Sequence, residues 1–129
     1  VVVRNYGGPE ELEVIDVPAP EPGRGQVRIR VEAAAVNPVD AATRQGLMNV
    51  ARPGVIRDRD YVGIGWDVAG TVDAVGPGVT SPGPGERVIG LRDRLDQPLG
   101  GYAEQVVLDA ADVAPAPQDG TVPPPRRSR

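Results

Sequence analysis

The chain has 129 residues, one domain's worth, enough to bury a core without covalent staples. It has no Cys and no His, and all 14 basic residues are Arg. This excludes disulfides, Cys/His zinc sites, Ser-His-Asp and Cys nucleophile chemistry, a Walker A lysine and a lysine Schiff base. The net charge of −4, with Arg scattered along the chain, argues against nucleic acid as a partner.

With no Phe, the core must come from Val, Ile, Leu and Ala, and the 21 Val favour strands. Val1 to Tyr6 reads as a first strand, ended by Gly7-Gly8-Pro9. Leu12 to Val17 reads as a second. Pro18 to Gly25 is too rich in Pro and Gly for a ladder and is expected to loop. From Gln26 to Ala35, Val27, Ile29, Val31, Ala33 and Ala35 alternate with Arg28, Arg30 and Glu32. Period two predicts a half-buried strand. Asn37-Pro38 is a helix start and Gly46 a left-handed stop, so Pro38 to Gln45 is expected to be a short helix. Leu47 to Gly65 lacks a period and is expected to be irregular. Trp66 to Val75 alternates again, with Val68, Gly70, Val72 and Ala74 on one side, and turns at Gly76-Pro77-Gly78. Arg87 to Leu91, Tyr102 to Leu108 and Asp112 to Ala114 follow as strands, with Arg92 to Leu99 looping out. The sum is a barrel or sandwich, not a doubly wound sheet. Pro115 onward has almost no apolar side chain beyond Ala and Pro, and 119–129 is expected to be a disordered Pro/Arg tail. The opening apolar run is three Val before Arg4, too short for a signal peptide. No stretch approaches the roughly 20 apolar residues that span a bilayer, so the expected location is cytoplasmic.

Four local patterns stand in a telling order: Ala34-Ala35-Val36-Asn37-Pro38-Val39-Asp40, Gly65-Trp66-Asp67-Val68-Ala69-Gly70, Val75-Gly76-Pro77-Gly78 with Gly85-Glu86-Arg87-Val88, and Gly100-Gly101-Tyr102-Ala103-Glu104. With the opening Tyr6-Gly7-Gly8-Pro9, they resemble the N-terminal GroES-like catalytic domain of the medium-chain dehydrogenases/reductases, in the zinc-independent quinone oxidoreductase branch. The resemblance covers residues 1–118. It implies a mainly β, GroES-like, partly open β-barrel with one or two short helices. In the family this domain is followed by a Rossmann domain that binds NADP(H). The active site lies in the cleft between them, where quinones or enones accept hydride. This sequence has no G-x-G-x-x-G in a strand-turn-helix setting. The expectation is therefore a truncated portion, inactive alone, that does not hold NADPH tightly.

The resemblance singles out Asn37, Asp40 and Arg44. Asn37 stands where zinc-dependent relatives have a cysteine ligand. In the quinone branch that Asn lies near nicotinamide and substrate, where it can orient a carbonyl or carboxamide. Capping the helix is an equally weighted role, compatible with the first. Asp40 reads as a hydrogen-bond acceptor in the same cleft or as a first-turn acid favoured by the helix dipole. Arg44 reads as a weak cofactor contact or, more simply, as a solvated charge at the helix end. Trp66-Asp67 replaces the His-Glu of zinc-dependent relatives, with Asp67 expected to bond locally rather than catalyse. Tyr102 is expected to be structural. Two further readings stand beside the enzymatic one: a non-enzymatic GroES-like binding or co-chaperonin-like module, and an inert remnant. An apolar face near the Asn37 helix, where the family docks its second domain, is expected to be exposed and to favour self-association. With no Cys or His anywhere, elemental analysis of the dialysed chain is expected to find no stoichiometric zinc.

Overall fold

The computed structural model describes residues 1–47, 61–92 and 99–117. Among them, β1 (Val2–Val3), β2 (Leu12–Glu13) and β4 (Val62–Gly63) form a small antiparallel sheet in the order β2-β1-β4. A larger sheet takes β3 (Gln26–Ala34), β5 (Asp67–Val75), β6 (Arg87–Leu91), β7 (Gln105–Asp109) and β8 (Val113–Pro115). Its order is β7-β3-β5-β6-β8, all antiparallel. Helix α1 (Pro38–Gln45) lies between β3 and β4 in the chain. Two single 3-10 turns, Pro9–Glu11 and Ala110–Asp112, complete the elements. This is the expected mainly β, GroES-like architecture, two sheets with no closed ring among the described residues. No helix among them is long and apolar enough to cross a membrane.

The core has two parts. Val27, Ile29, Val68, Val72, Val88, Val106 and Leu108 pack inside the larger sheet. Val3, Val62 and Ile64 form a second cluster under the smaller one, with Trp66 and Tyr102 against it. Alternation explains most of this. Val27 and Ile29 are buried on β3, and Val68, Gly70 and Val72 on β5. It fails where the ladder bulges. Between Val31 and Ala33 the register with β5 shifts, so Ala33 pairs with Ala69 and faces outward. An extra residue reverses the alternation beyond it. Ala33 and Ala35 are thus exposed, not core as their spacing predicts. A second shift falls between Arg28 and Ile29, where β5 carries Asp73 as its extra residue. Ala74 consequently pairs with Arg28 instead of joining the inner face.

Other boundaries differ from the sequence reading. β1 is two residues long, not six, because a bend begins at Arg4. β2 ends at Glu13, and Val14 to Val17 instead line a groove opposite Tyr102. β4 is a strand where an irregular stretch is expected; two residues leave no visible period. β7 starts at Gln105, since Gly101 to Glu104 forms a bend. Arg92 is 2% exposed, so it does not loop out, and its N–H donates to the Trp66 carbonyl at 2.7 Å. Residues 93–98 and the predicted tail at 119–129 lie outside the described residues.

The Pro-rich loop is held to the outer face of the sheet by charge. Arg28 Nε donates to Asp73 Oδ1 at 2.8 Å, and its Nη1 donates to the Pro20 carbonyl at 3.2 Å. Gln105 Nε2 donates to the other Asp73 oxygen at 2.6 Å. Burial alone would raise the Asp73 pKa, but the bonds from Arg28 and Gln105, with the nearby Arg charges, outweigh it and hold the carboxyl below its ordinary 3.8. A depressed folded-state pKa gives stability that is present above 3.8 and lost as pH falls through the lower native value. Urea unfolding of Asp73→Asn is expected to show lower stability at neutral pH and a shallower loss on acidification than the parent chain.

Candidate functional site

Asn37, Asp40, Asp67 and Tyr102 come together from three parts of the chain. Asn37 is extended (φ −120, ψ 158), Pro38 takes the first helical position, and Gly46 ends α1 in the left-handed region (φ 85). The cap pairs Asn37 with Asp40 at the third helical position. The Asn37 backbone N–H donates to Asp40 Oδ2 at 2.8 Å. The Asp40 N–H donates to the Asn37 carbonyl at 2.9 Å. The Asn37 side chain also reaches across to the sheet. Asn37 Nδ2 donates to Asp67 Oδ2 at 2.5 Å.

Asp40 is 4% exposed, and Oδ1 is buried with no hydrogen-bond partner. Its other oxygen also receives the Tyr102 phenol, at 3.1 Å. The same hydroxyl lies 2.9 Å from the Ala35 carbonyl, so one proton serves two acceptors. Desolvation, then the hydrogen bond to Asp40 and the charges of Asp40 and Asp67, push the Tyr102 pKa up to about 12. The phenol is therefore a donor throughout the neutral range and a poor acid.

Backbone contact between two glycine-bearing segments places Tyr102 there. Gly101 N–H donates to the Gly65 carbonyl at 2.9 Å and Tyr102 N–H to the Ile64 carbonyl at 2.9 Å. A Cβ on Gly100 would stand 2.3 Å from the Ile64 oxygen, and Gly65 has φ +109. Neither position accepts a side chain without displacing the segment that carries Tyr102. The Gly65-Trp66-Asp67 and Gly100-Gly101-Tyr102 motifs are thus two halves of one contact. Trp66, beside it, packs on the smaller core instead of facing a ligand.

Arg44 stands apart from this group. Its Nε donates to the Gly7 carbonyl at 3.2 Å, and its own carbonyl accepts from Gly7 N–H at 3.0 Å. These bonds tie the Tyr6-Gly7-Gly8 turn to the end of α1. A groove of about 530 Å³ runs between 14–20 and 102–105; Tyr102 lines it, whereas Asn37 and Asp40 do not. Tyr102, expected to be structural, holds the helix start through Asp40 and the Ala35 carbonyl; the sequence did not reveal that neighbour. The available signal was the Gly-Gly pair ahead of it, which marks a close backbone approach rather than a strand start.

Tyr102 gives this arrangement a spectroscopic handle. Because its folded-state pKa is raised, the associated stability is complete below 10 and is lost as pH rises toward about 12. Ultraviolet titration is expected to show a phenol ionising near 12, absent in Tyr102→Phe and shifted toward 10 in Asp40→Asn.

Residues 23–118 match the alcohol dehydrogenase GroES-like domain. A 2-haloacrylate reductase from a Burkholderia species is 35% identical over 118 residues, covering 92% of this chain and 33% of that protein. The quinone oxidoreductase of Pseudomonas aeruginosa is 41% identical over 80% of this chain and 28% of its own length. Among solved structures, the quinone oxidoreductase from Coxiella burnetii superposes with a TM-score of 0.82 at 30% identity, over 93% of this chain and 37% of that one. A mycobacterial protein solved with NADPH gives 0.76 at 36% identity, over 94% and 34%. The chain thus spans about a third of the length of these relatives. Fold, motifs and these likenesses agree: the chain belongs to the alcohol dehydrogenase GroES-like domain family, the N-terminal domain of the medium-chain dehydrogenases/reductases.

Proposed function

We propose that this chain is the substrate-side domain of a zinc-independent, NADPH-dependent oxidoreductase acting on quinones or enones. The observation that carries the reading is the Asn37 amide, held at the start of α1 and tied to Asp67 on the sheet. A fixed amide can align a carbonyl at low entropic cost, which is the positioning part of catalysis. Asp40 serves by holding the Asn37 turn, since one of its oxygens is already engaged twice. NADPH, when bound, supplies the hydride. The described residues suit only its nicotinamide end. A pyrophosphate needs free backbone donors at a helix N-terminus. At the start of α1 the buried acid Asp40 occupies that place and would repel a phosphate. Arg44, bonded to Gly7, is a weak candidate for a cofactor contact.

Val36 is 85% exposed and Leu47 52%, one on either side of α1. We take them as part of a docking face for a second domain, through which the isolated chain would self-associate. A cytoplasmic setting, without nucleic acid or membrane partners, goes with this reading.

Calorimetry is expected to find no micromolar NADPH binding by the 129-residue chain, and no NADPH oxidation with a quinone or an enone. Duroquinone should bind weakly and perturb the Asn37 side-chain amide in NMR titrations, with the effect lost in Asn37→Ala. Micromolar NADPH affinity, or duroquinone shifts indifferent to Asn37→Ala, would refute the assignment of roles.

A further inference from the structure

We infer that Asp67 is a positioning residue. Its carboxylate fixes the orientation of the Asn37 amide and so decides which hydrogen-bonding polarity Asn37 offers a ligand.

A primary amide has two nearly isosteric orientations, differing by a half-turn that exchanges oxygen and nitrogen. A carboxylate only accepts, so the nitrogen must face Asp67, and it lies 2.5 Å from Oδ2. The cap adds nothing to this choice, because the Asp40 N–H is already given to the Asn37 backbone carbonyl at 2.9 Å. With one Nδ2 proton on Asp67, Asn37 keeps its second Nδ2 proton for a ligand. The site therefore presents a donor, and the matching ligand group is an acceptor such as a carbonyl oxygen.

Asp67 is placed independently of Asn37. It pairs with Leu91 in the β5–β6 ladder, and its carbonyl accepts the Ala35 N–H at 3.1 Å. The second bond fixes the chain two residues before Asn37. The carboxylate is thus presented by the sheet to a side chain on the helix cap, across 30 residues of sequence. Without it, no bond to the helix backbone selects an orientation, and a neutral hydrogen bond there would be worth only about 1 kcal/mol. A charge-assisted bond is roughly twice as strong, so Asp67 dominates the choice. The carbonyl preference rests on the function proposed above; the orienting role does not.

The test is the Asn37 side-chain NH2 pair in the 129-residue chain, identified by its loss in Asn37→Ala. In the parent chain the two protons should be widely separated, one moved downfield by the carboxylate. In Asp67→Asn the separation should collapse while the backbone amide pattern of β3, β5 and β7 is retained. Asp67→Glu, which keeps the charge, should restore part of it. An unchanged pair in Asp67→Asn would overturn the proposal. If that variant loses its folded spectrum, Asp67→Glu decides: a pair lacking any downfield proton in the folded Glu variant would equally overturn it. Duroquinone then separates the two claims. Its binding, read from the same pair, should weaken about tenfold in Asp67→Asn, the loss of roughly one hydrogen bond's alignment. If duroquinone leaves the parent pair unmoved while Asp67→Asn collapses it, the orienting role stands and the quinone reading fails.

Discussion

A buried carboxylate organises this domain's site. Asp40 sits in the first turn of a two-turn helix, almost out of reach of water. A buried carboxylate needs donors, and two converge on its Oδ2: the Asn37 backbone N–H and the Tyr102 phenol. Each fixes something else. The Asn37 bond sets the angle at which the chain enters α1, and hence where the Asn37 amide points. The Tyr102 bond fastens the helix start to the bend before β7. Removing the carboxylate would leave the Asn37 N–H without its acceptor and cut the helix start from Tyr102, whose hydroxyl would keep only the Ala35 carbonyl.

The second organising feature is contact without side chains. The Ile64-Gly65 and Gly100-Gly101 segments touch backbone to backbone, and that contact brings Trp66, Asp67 and Tyr102 to one place. Two motifs 35 residues apart serve one purpose. Each puts small residues at the crossing and a polar or aromatic residue just beyond it. The polar network and the glycine crossing are therefore mechanically one unit, reached from the helix on one side and from both sheets on the other.

The parts legible in the sequence were those governed by local rules. Asn37-Pro38 and Gly46 bracketed α1 to the residue, because capping chemistry depends on neighbours only. β5 and β6 were visible through alternation and turn residues. The failures share a cause: they depend on pairing. A bulge turns Ala33 outward, and nothing in an Ala-rich alternation announces it. Val62-Gly63 is a strand only because Val2-Val3 lies beside it. Tyr102 belongs to the site because of where Asp40 ends up, 62 residues away. Of the candidate site, Asn37 and Asp40 were readable from a resemblance and a cap. Asp67's bond to Asn37 needed the folded geometry to reveal which neighbour it has.

The placement of α1 within the topology has a bearing on how such a domain diversifies. β3 and β5 are hydrogen-bonded neighbours at the centre of the larger sheet, yet the chain between them holds the helix and β4. The core hairpin is closed by a long excursion instead of a turn. The entropy of closing such an excursion rises only with the logarithm of its length, about 0.6 kcal/mol for a doubling. Residues can be added or lost between Gly46 and Val62 at little thermodynamic cost, provided that Asn37, Asp40 and Asp67 keep their partners. The contacts among Asn37, Asp40 and Asp67 are made by residues before and after that connection, so a change in its length alters none of their partners directly.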